Sequence, residues 1–206
     1  MKLIVAFCKN RGIGFNNMMP WYIKNDFKNF KKLTIGNGNN AVIMGRQTWL
    51  SLPVKNRPLP KRENIVLSRN MAINFNRLPY WTKFSQSFEL AIDYCKQKNI
   101  DDIWLIGGES IYKESLNRDL VDEIYVTNIE NDYECDRFFP VITDNFFLKE
   151  RSAMYTSNDI HYNFEIYKRR STEKNNISLL HECKSQNEDN QENVDESLQY
   201  YEESAV

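Results

Sequence analysis

The chain has 206 residues, 41% of them hydrophobic and 13% aromatic, with a formal net charge of −1. That length is enough for one domain with a sizeable core. The near-zero charge argues against nucleic acid as a partner, and no apolar run reaches the length of a membrane span.

The average hides an asymmetry. Residues 1–170 hold 25 basic and 19 acidic side chains, whereas residues 171–206 hold nine acidic and two basic. A mildly basic body suits an anionic ligand, and equally an ordinary solvated surface. Cys8, Cys95, Cys135 and Cys183 are scattered with no C-x-x-C spacing, which predicts a reducing compartment, the cytoplasm. His161 and His181 are the only histidines, so a metal centre is not expected.

Leu3–Cys8 is a short apolar run that predicts a buried first strand. It is too short for a secretory signal, and no small-residue cleavage site follows. Residues 9–22 read as a loop. Residues 24–34 set Phe27, Phe30 and Leu33 among lysines, an amphipathic helix. Ala41–Met44 is a second strand, followed by Gly45-Arg46, and Ile65–Leu67 a third, followed by Ser68-Arg69. Residues 86–98 predict a helix with Phe88, Ala91, Ile92 and Cys95 on one face. Ile103–Ile106 is a fourth strand ending at Gly107-Gly108, with a helix from Glu109. Ile124–Ile129 is a fifth, and Tyr162–Tyr167 alternates like a late antiparallel strand.

Buried strands alternating with helices predict a single α/β domain over residues 1–170, built on a mostly parallel sheet. From residue 171 the apolar period is lost, and the sequence reads as a disordered acidic tail. Ligands of such sheets bind at the carboxyl ends of strands, which directs attention to residues 9–22, 45–48, 68–70 and 107–110.

Three constellations in those loops could carry chemistry. Gly107-Gly108 between a strand and a helix suits a phosphate, although many such pairs are only tight turns. Arg46 with Ser68-Arg69 could grip a phosphate monoester, as in enzymes that choose NADP over NAD, or could be plain solvated arginines. Asp26, in the first turn of a helix and beside its apolar face, could have a raised pKa and relay a proton. The bland alternative is an acid favoured by the helix dipole. Thr127, within a buried strand, needs a hydrogen-bond partner: a carboxylate or its own backbone.

These pieces stand in the order found in a known family. The chain resembles dihydrofolate reductase across residues 2–169. The matching segments are Leu3-Ile4-Val5-Ala6, Gly12-Ile13-Gly14, Met19-Pro20-Trp21, Asp26-Phe27 with Phe30, and Val42-Ile43-Met44-Gly45-Arg46 with Thr48-Trp49. Arg57-Pro58-Leu59, Ile65-Val66-Leu67-Ser68-Arg69 and Ile106-Gly107-Gly108 with Tyr112 follow. Tyr125-Val126-Thr127, Asp136 with Phe138-Phe139-Pro140, and Phe164-Glu165 complete the set.

The resemblance implies a sheet of about eight strands, the last antiparallel, flanked by helices. It implies hydride transfer from NADPH to dihydrofolate by a monomer. Asp26, Trp21 and Thr127 are implied as the catalytic set, with Asp26 gripping the pterin's amidine edge and promoting protonation through water. Ile4, Val5, Phe27, Phe30, Leu52 and Ile106 are implied as apolar walls, and Arg62 as the partner of the substrate's glutamate carboxylate. Ala6, Ile13, Gly14, Gly45, Arg46, Thr48, Ser68, Arg69, Gly107, Gly108, Glu109, Ser110, Ile111 and Tyr112 are implied on the cofactor side, with a cis bond between the two glycines.

Three positions depart from the family pattern. Lys61 stands where glycine is usual, which predicts a differently shaped turn. Glu109 replaces a small residue, which predicts repulsion of pyrophosphate. Tyr22-Ile23 replaces a segment that often carries proline. A pyrimidine reductase of riboflavin synthesis shares the fold, but Asp26 after Pro20-Trp21, and Arg62, argue against it. Intact Asp26, Trp21, Gly107 and Gly108 argue against a non-catalytic pterin-binding protein. Some relatives are fused to thymidylate synthase, but no motif of that enzyme occurs here.

Overall fold

The apolar runs become the central strands because each is buried on both faces, which only a sheet covered by helices provides. A computed structural model describes residues 1–69 and 80–171. The acidic tail from residue 172, with His181 and Cys183, lies outside the described residues, as does residue 70 of the loop after the third predicted strand.

Among the described residues the main sheet has nine strands, in keeping with the expected mostly parallel sheet of about eight. In spatial order they are β10 (Tyr155–Ser157), β11 (Ile160–Arg169), β7 (Glu123–Ile129), β1 (Lys2–Phe7), β6 (Ile103–Leu105), β3 (Ala41–Gly45), β4 (Glu63–Leu67) and β5 (Thr82–Ser85), with β9 (Phe146–Arg151) also paired to β11. From β7 to β5 all neighbours run parallel; β11 is antiparallel to β7, and β9 and β10 are antiparallel to β11. The strands that the sequence does not predict, β5, β9 and β10, are short or largely exposed, so they have no continuous apolar run. A separate ribbon joins β2 (Gly12–Gly14) to β8 (Arg137–Phe138), pinning the 9–22 loop to the segment that follows β7.

Strand alternation sorts the core onto two faces. Leu3, Val5, Ile43, Ile65, Leu105 and Ile124 pack under α3 (Phe88–Gln97) and α4 (Glu109–Asn117). Ile4, Val42, Met44, Val66 and Trp104 point the other way, toward Trp49 of α2 (Arg46–Ser51) and Phe30 and Leu33 of α1 (Lys24–Ile35). Each fully buried aliphatic side chain contributes about 1.5–3 kcal/mol. α1 has no side-chain cap at Ile23 and stops at Gly36, whose φ of 53° breaks the helix while its N–H bonds Lys32 O. Among the described residues no helix is long and apolar enough to cross a membrane.

Candidate active site

Parallel strands put their carboxyl ends on one edge, so the 9–22, 45–48, 68–69 and 107–110 segments converge there. Beside that edge, α1 packs across the face of the sheet that carries Ile4, and the space between them is the candidate cleft.

Asp26 is at its head. The first turn of α1 holds it half-buried, where the Thr127 hydroxyl donates to Oδ1 at 2.6 Å. Asp26 and Thr127 are 101 residues apart in the chain, and Thr127 is itself buried in β7. Burial pushes the Asp26 carboxyl above the ordinary carboxylate range, and the Thr127 bond pulls it partly back. Desolvation wins because a single neutral donor replaces only a small part of the lost hydration. Trp21 is buried beside Tyr133, ring centroids 5.3 Å apart, and its Nε1 has no partner among the described residues.

Ile4, Phe30, Leu52 and Ile106 belong to one apolar cluster and form a common wall. Val5 does not join them: strand alternation sends it into the core on the other face, so only its backbone can border the cleft. Phe27 is 39% exposed and leans on the exposed Tyr22, ring centroids 5.4 Å apart, at the open margin rather than in the packed wall.

At the other end of the wall sits Arg62, only 2% exposed. Its Nη1 donates to the Thr34 hydroxyl and its Nε to Pro60 O at 3.0 Å, and its guanidinium lies over the Phe30 ring. Among the described residues no carboxylate pairs with it, and burial lowers its pKa to about 10, still charged at neutral pH. A desolvated cation held by two neutral acceptors, with further N–H groups to spare, is a receptor for a carboxylate. Asn64, fully buried, fixes this turn by bonding Leu59 N, Leu59 O and Arg62 O, each at 2.9 Å. Lys61 takes φ 62°, the left-handed conformation natural to glycine. The turn therefore keeps a glycine-type backbone, contrary to the expectation of a different shape.

The second half of the site surrounds the glycines. The Gly107–Gly108 bond is cis, as the resemblance implied, and Gly107 stands at φ 102°. Gly45 N donates to Gly107 O at 2.7 Å, which draws the starts of α2 and α4 together. Neither start carries a side-chain cap, so their first N–H groups are open to an anion. A Cβ on Gly107 would stand 2.8 Å from Tyr112 Oη, and one on Gly108 3.3 Å from Thr48 Oγ1. Ile111 packs against Gly45, and the Tyr112 hydroxyl donates to Ile4 O at 2.9 Å, tying α4 to β1. Arg46, Arg69 and Ser110 are exposed at this edge and Ser68 half-buried. The bare backbone and flanking arginines fit the phosphates of a dinucleotide such as NADPH.

Glu109 does not face this cradle as an unpaired charge. Lys113, one turn on, holds its carboxylate at 2.5 Å, which offsets the repulsion its identity predicts. Ala6, near the end of β1, packs with the Trp21 and Cys8 cluster; Ile13 packs against the main core and Gly14 lies under Met18 O, both in the 9–22 segment. Thr34, Asn64 and Lys113 join the site with no sequence signal that singles them out, save one. Thr34 stands four residues after Phe30, on the same helix face.

The sequence is also similar to known proteins. The family model described as dihydrofolate reductase matches residues 1–169. The chain is 34% identical to the dihydrofolate reductase of Aedes albopictus over 178 residues, covering 81% of this chain and 96% of that one. It is 38% identical to that of Drosophila melanogaster over 149 residues, 70% of this chain and 81% of that one. With that of Gallus gallus the identity is 35% over 178 residues, 81% of this chain and 94% of that one.

Proposed function

The chain belongs to the dihydrofolate reductase family, and from that premise we propose which side chains carry each part of the reaction. It reduces dihydrofolate to tetrahydrofolate with NADPH, an oxidoreductase step of one-carbon metabolism. NADPH supplies the hydride.

Asp26 anchors the pterin. Oδ1 is taken by Thr127, and the remaining acceptor positions match the paired N–H donors of the pterin's amidine edge. Its raised pKa suits a group that promotes protonation of the pterin, with a water held near the unpaired Nε1 of Trp21 as the carrier. Ile4, Phe30, Leu52 and Ile106 exclude water from the ring, with Phe27 at the margin, and the Val5 backbone borders the same space. Arg62 takes the glutamate carboxylate, held for it by Thr34.

Arg46, Thr48, Ser68 and Arg69 take the adenosine phosphate of the cofactor, and Gly45 with Gly107 to Tyr112 its pyrophosphate and nicotinamide side. Ala6, Ile13 and Gly14 border the carboxamide. The observation that carries the reading is the 2.6 Å Thr127–Asp26 bond at one end of an apolar wall with the uncompensated Arg62 at the other. Purified protein is expected to consume NADPH when dihydrofolate is added; absence of that absorbance loss would overturn the reading.

The reductase domain is residues 1–170, and 171–206 is an accessory tail, so deleting 171–206 is expected to leave kcat and KM within about twofold. A cytoplasmic monomer that binds no nucleic acid is the accompanying assignment. The free thiols of Cys8, Cys95 and Cys135 favour a reducing compartment.

A further inference from the structure

Cys8 and Cys135 are 127 residues apart in the chain, yet their sulfurs stand 3.9 Å apart. Cys8 follows β1 and opens the turn into β2, where its N–H donates to Gly12 O at 3.0 Å. Cys135 stands two residues before β8, the strand that pairs with β2. Gly12 makes room for the meeting: a Cβ there would collide with the Cys135 side chain. The Cys8 thiol donates to Asn10 Oδ1 at 3.0 Å, so the Cys135 thiol is the donor between the two sulfurs. No step of the reaction uses either thiol. Cys95 is buried in a different cluster, with Phe88 and Ala91.

The two thiols differ in access. Cys8 is fully buried, whereas Cys135 is partly open to solvent. Burial pushes the Cys135 thiol up to about 11, with the neighbouring Cys8 adding to the shift. Thiolate is therefore scarce at neutral pH, and exchange at Cys135 is slow rather than prevented.

We propose that Cys8 and Cys135 are a modification site, a thiol pair that an oxidised low-molecular-weight thiol converts reversibly to a disulfide that slows turnover. The Cys135 thiolate attacks the small disulfide, forms a mixed disulfide and releases one small thiol. Cys8, as its thiolate, then attacks Cys135 Sγ and expels the second. The two protein thiols lose two protons and two electrons, and the small disulfide is reduced to two thiols. The new bond ties the turn after β1 to the segment ahead of β8. Cys8 and Trp21 share one cluster, with Tyr133 and Cys135 packed against it, so the tie acts beside Trp21. It restrains the 9–22 segment, one of those that converge at the carboxyl edge of the sheet, and so slows the movements that admit and release ligands. The effect on turnover rests on the role read for Trp21; the bond itself does not.

The test incubates the full chain for hours with excess glutathione disulfide. NADPH consumption with dihydrofolate is then assayed, and an unreduced digest is read by mass spectrometry. The protein is expected to become about 2 Da lighter, with a peptide that links Cys8 to Cys135. A kcat lower by about threefold or more is expected, with full recovery in dithiothreitol. Tm should rise, because the bond closes a long loop of the unfolded chain. Cys8→Ser and Cys135→Ser are expected to keep basal turnover and to lose the response, whereas Cys95→Ser responds like the wild type. An unchanged mass, a glutathione adduct with no internal link, a link through Cys95 or Cys183, or slowing that persists in Cys135→Ser would overturn the proposal. So would a Cys8–Cys135 link that leaves turnover unchanged. Trp21→Ala in reduced protein separates the premise: normal turnover there removes the role read for Trp21, while the link is still scored by mass.

Discussion

Replacing Asp26 by Asn separates two consequences of one environment. Burial raises the Asp26 carboxyl pKa and the Thr127 bond only partly offsets this. A carboxyl whose folded pKa lies above its unfolded value contributes stability below the unfolded pKa, and that contribution is lost as pH rises through the folded value. Once pH passes the folded value, the wild type carries a desolvated charge that asparagine lacks. The asparagine Oδ1 can still accept the Thr127 hydroxyl across the 2.6 Å gap, so little else changes locally. Tm of Asp26→Asn is expected to exceed that of the wild type increasingly as pH rises through the folded value, and to converge with it in acid. Activity should move the other way, because the variant neither relays a proton nor offers two acceptor oxygens. The loss in kcat is expected to be about 10²–10⁴-fold, the usual range for a positioned acid–base group. NADPH consumption and thermal melts in matched buffers, from acid to neutral, read both effects. Unchanged turnover would refute the catalytic assignment. A lower Tm at neutral pH would show that the ionised carboxylate is net stabilised, and the argument from burial would fail.

Four further substitutions probe the remaining parts. Thr127→Val removes a hydrogen bond to a charged group, about 1.5–3 kcal/mol, so kcat/KM should fall roughly 10–100-fold and the pH profile should shift upward as Asp26 loses its stabilising donor. Thr34→Val leaves Arg62 Nη1 short of a partner, and KM for dihydrofolate should rise about tenfold with kcat largely kept, since the lost bond is worth roughly 1–2 kcal/mol. In Gly107→Ala the new methyl would stand 2.8 Å from Tyr112 Oη at a φ of 102°; Tm should drop, and titration should show weakened NADPH binding. Ile43→Ala empties a fully buried site in β3, with an expected loss of about 2–5 kcal/mol in urea unfolding.

Several parts of the site are legible in the amino-acid sequence. Asp26, Arg62 and the glycine pair can be named because local signals mark them: a helix start, a matched segment, a strand followed by two glycines. Their mutual relation cannot. The Thr127 hydroxyl could equally have turned to its own backbone, and only the register of β7 between β1 and β11 delivers it to Asp26. Val5 illustrates the converse. It sits in a matching segment, yet the period of two along β1 turns its side chain away from Ile4 and out of the cleft.

What the sequence by itself determined is the set of buried strands, since a continuous apolar run has to be covered wherever it lies, and the loops that follow them. Composition also marked residues 171–206 as distinct, through lost periodicity and excess acid. Tertiary structure alone decided the edge strands, whose stability comes from pairing with β11 or β4 rather than from their own apolar content. It alone decided the charge state of the cleft, because a pKa depends on which groups surround a carboxyl or guanidinium after folding. Glu109 and Lys61 show the limit from the other side. Each is disruptive by identity alone; one is neutralised by Lys113 a turn away, and the other is held in a glycine's conformation by the fold around it.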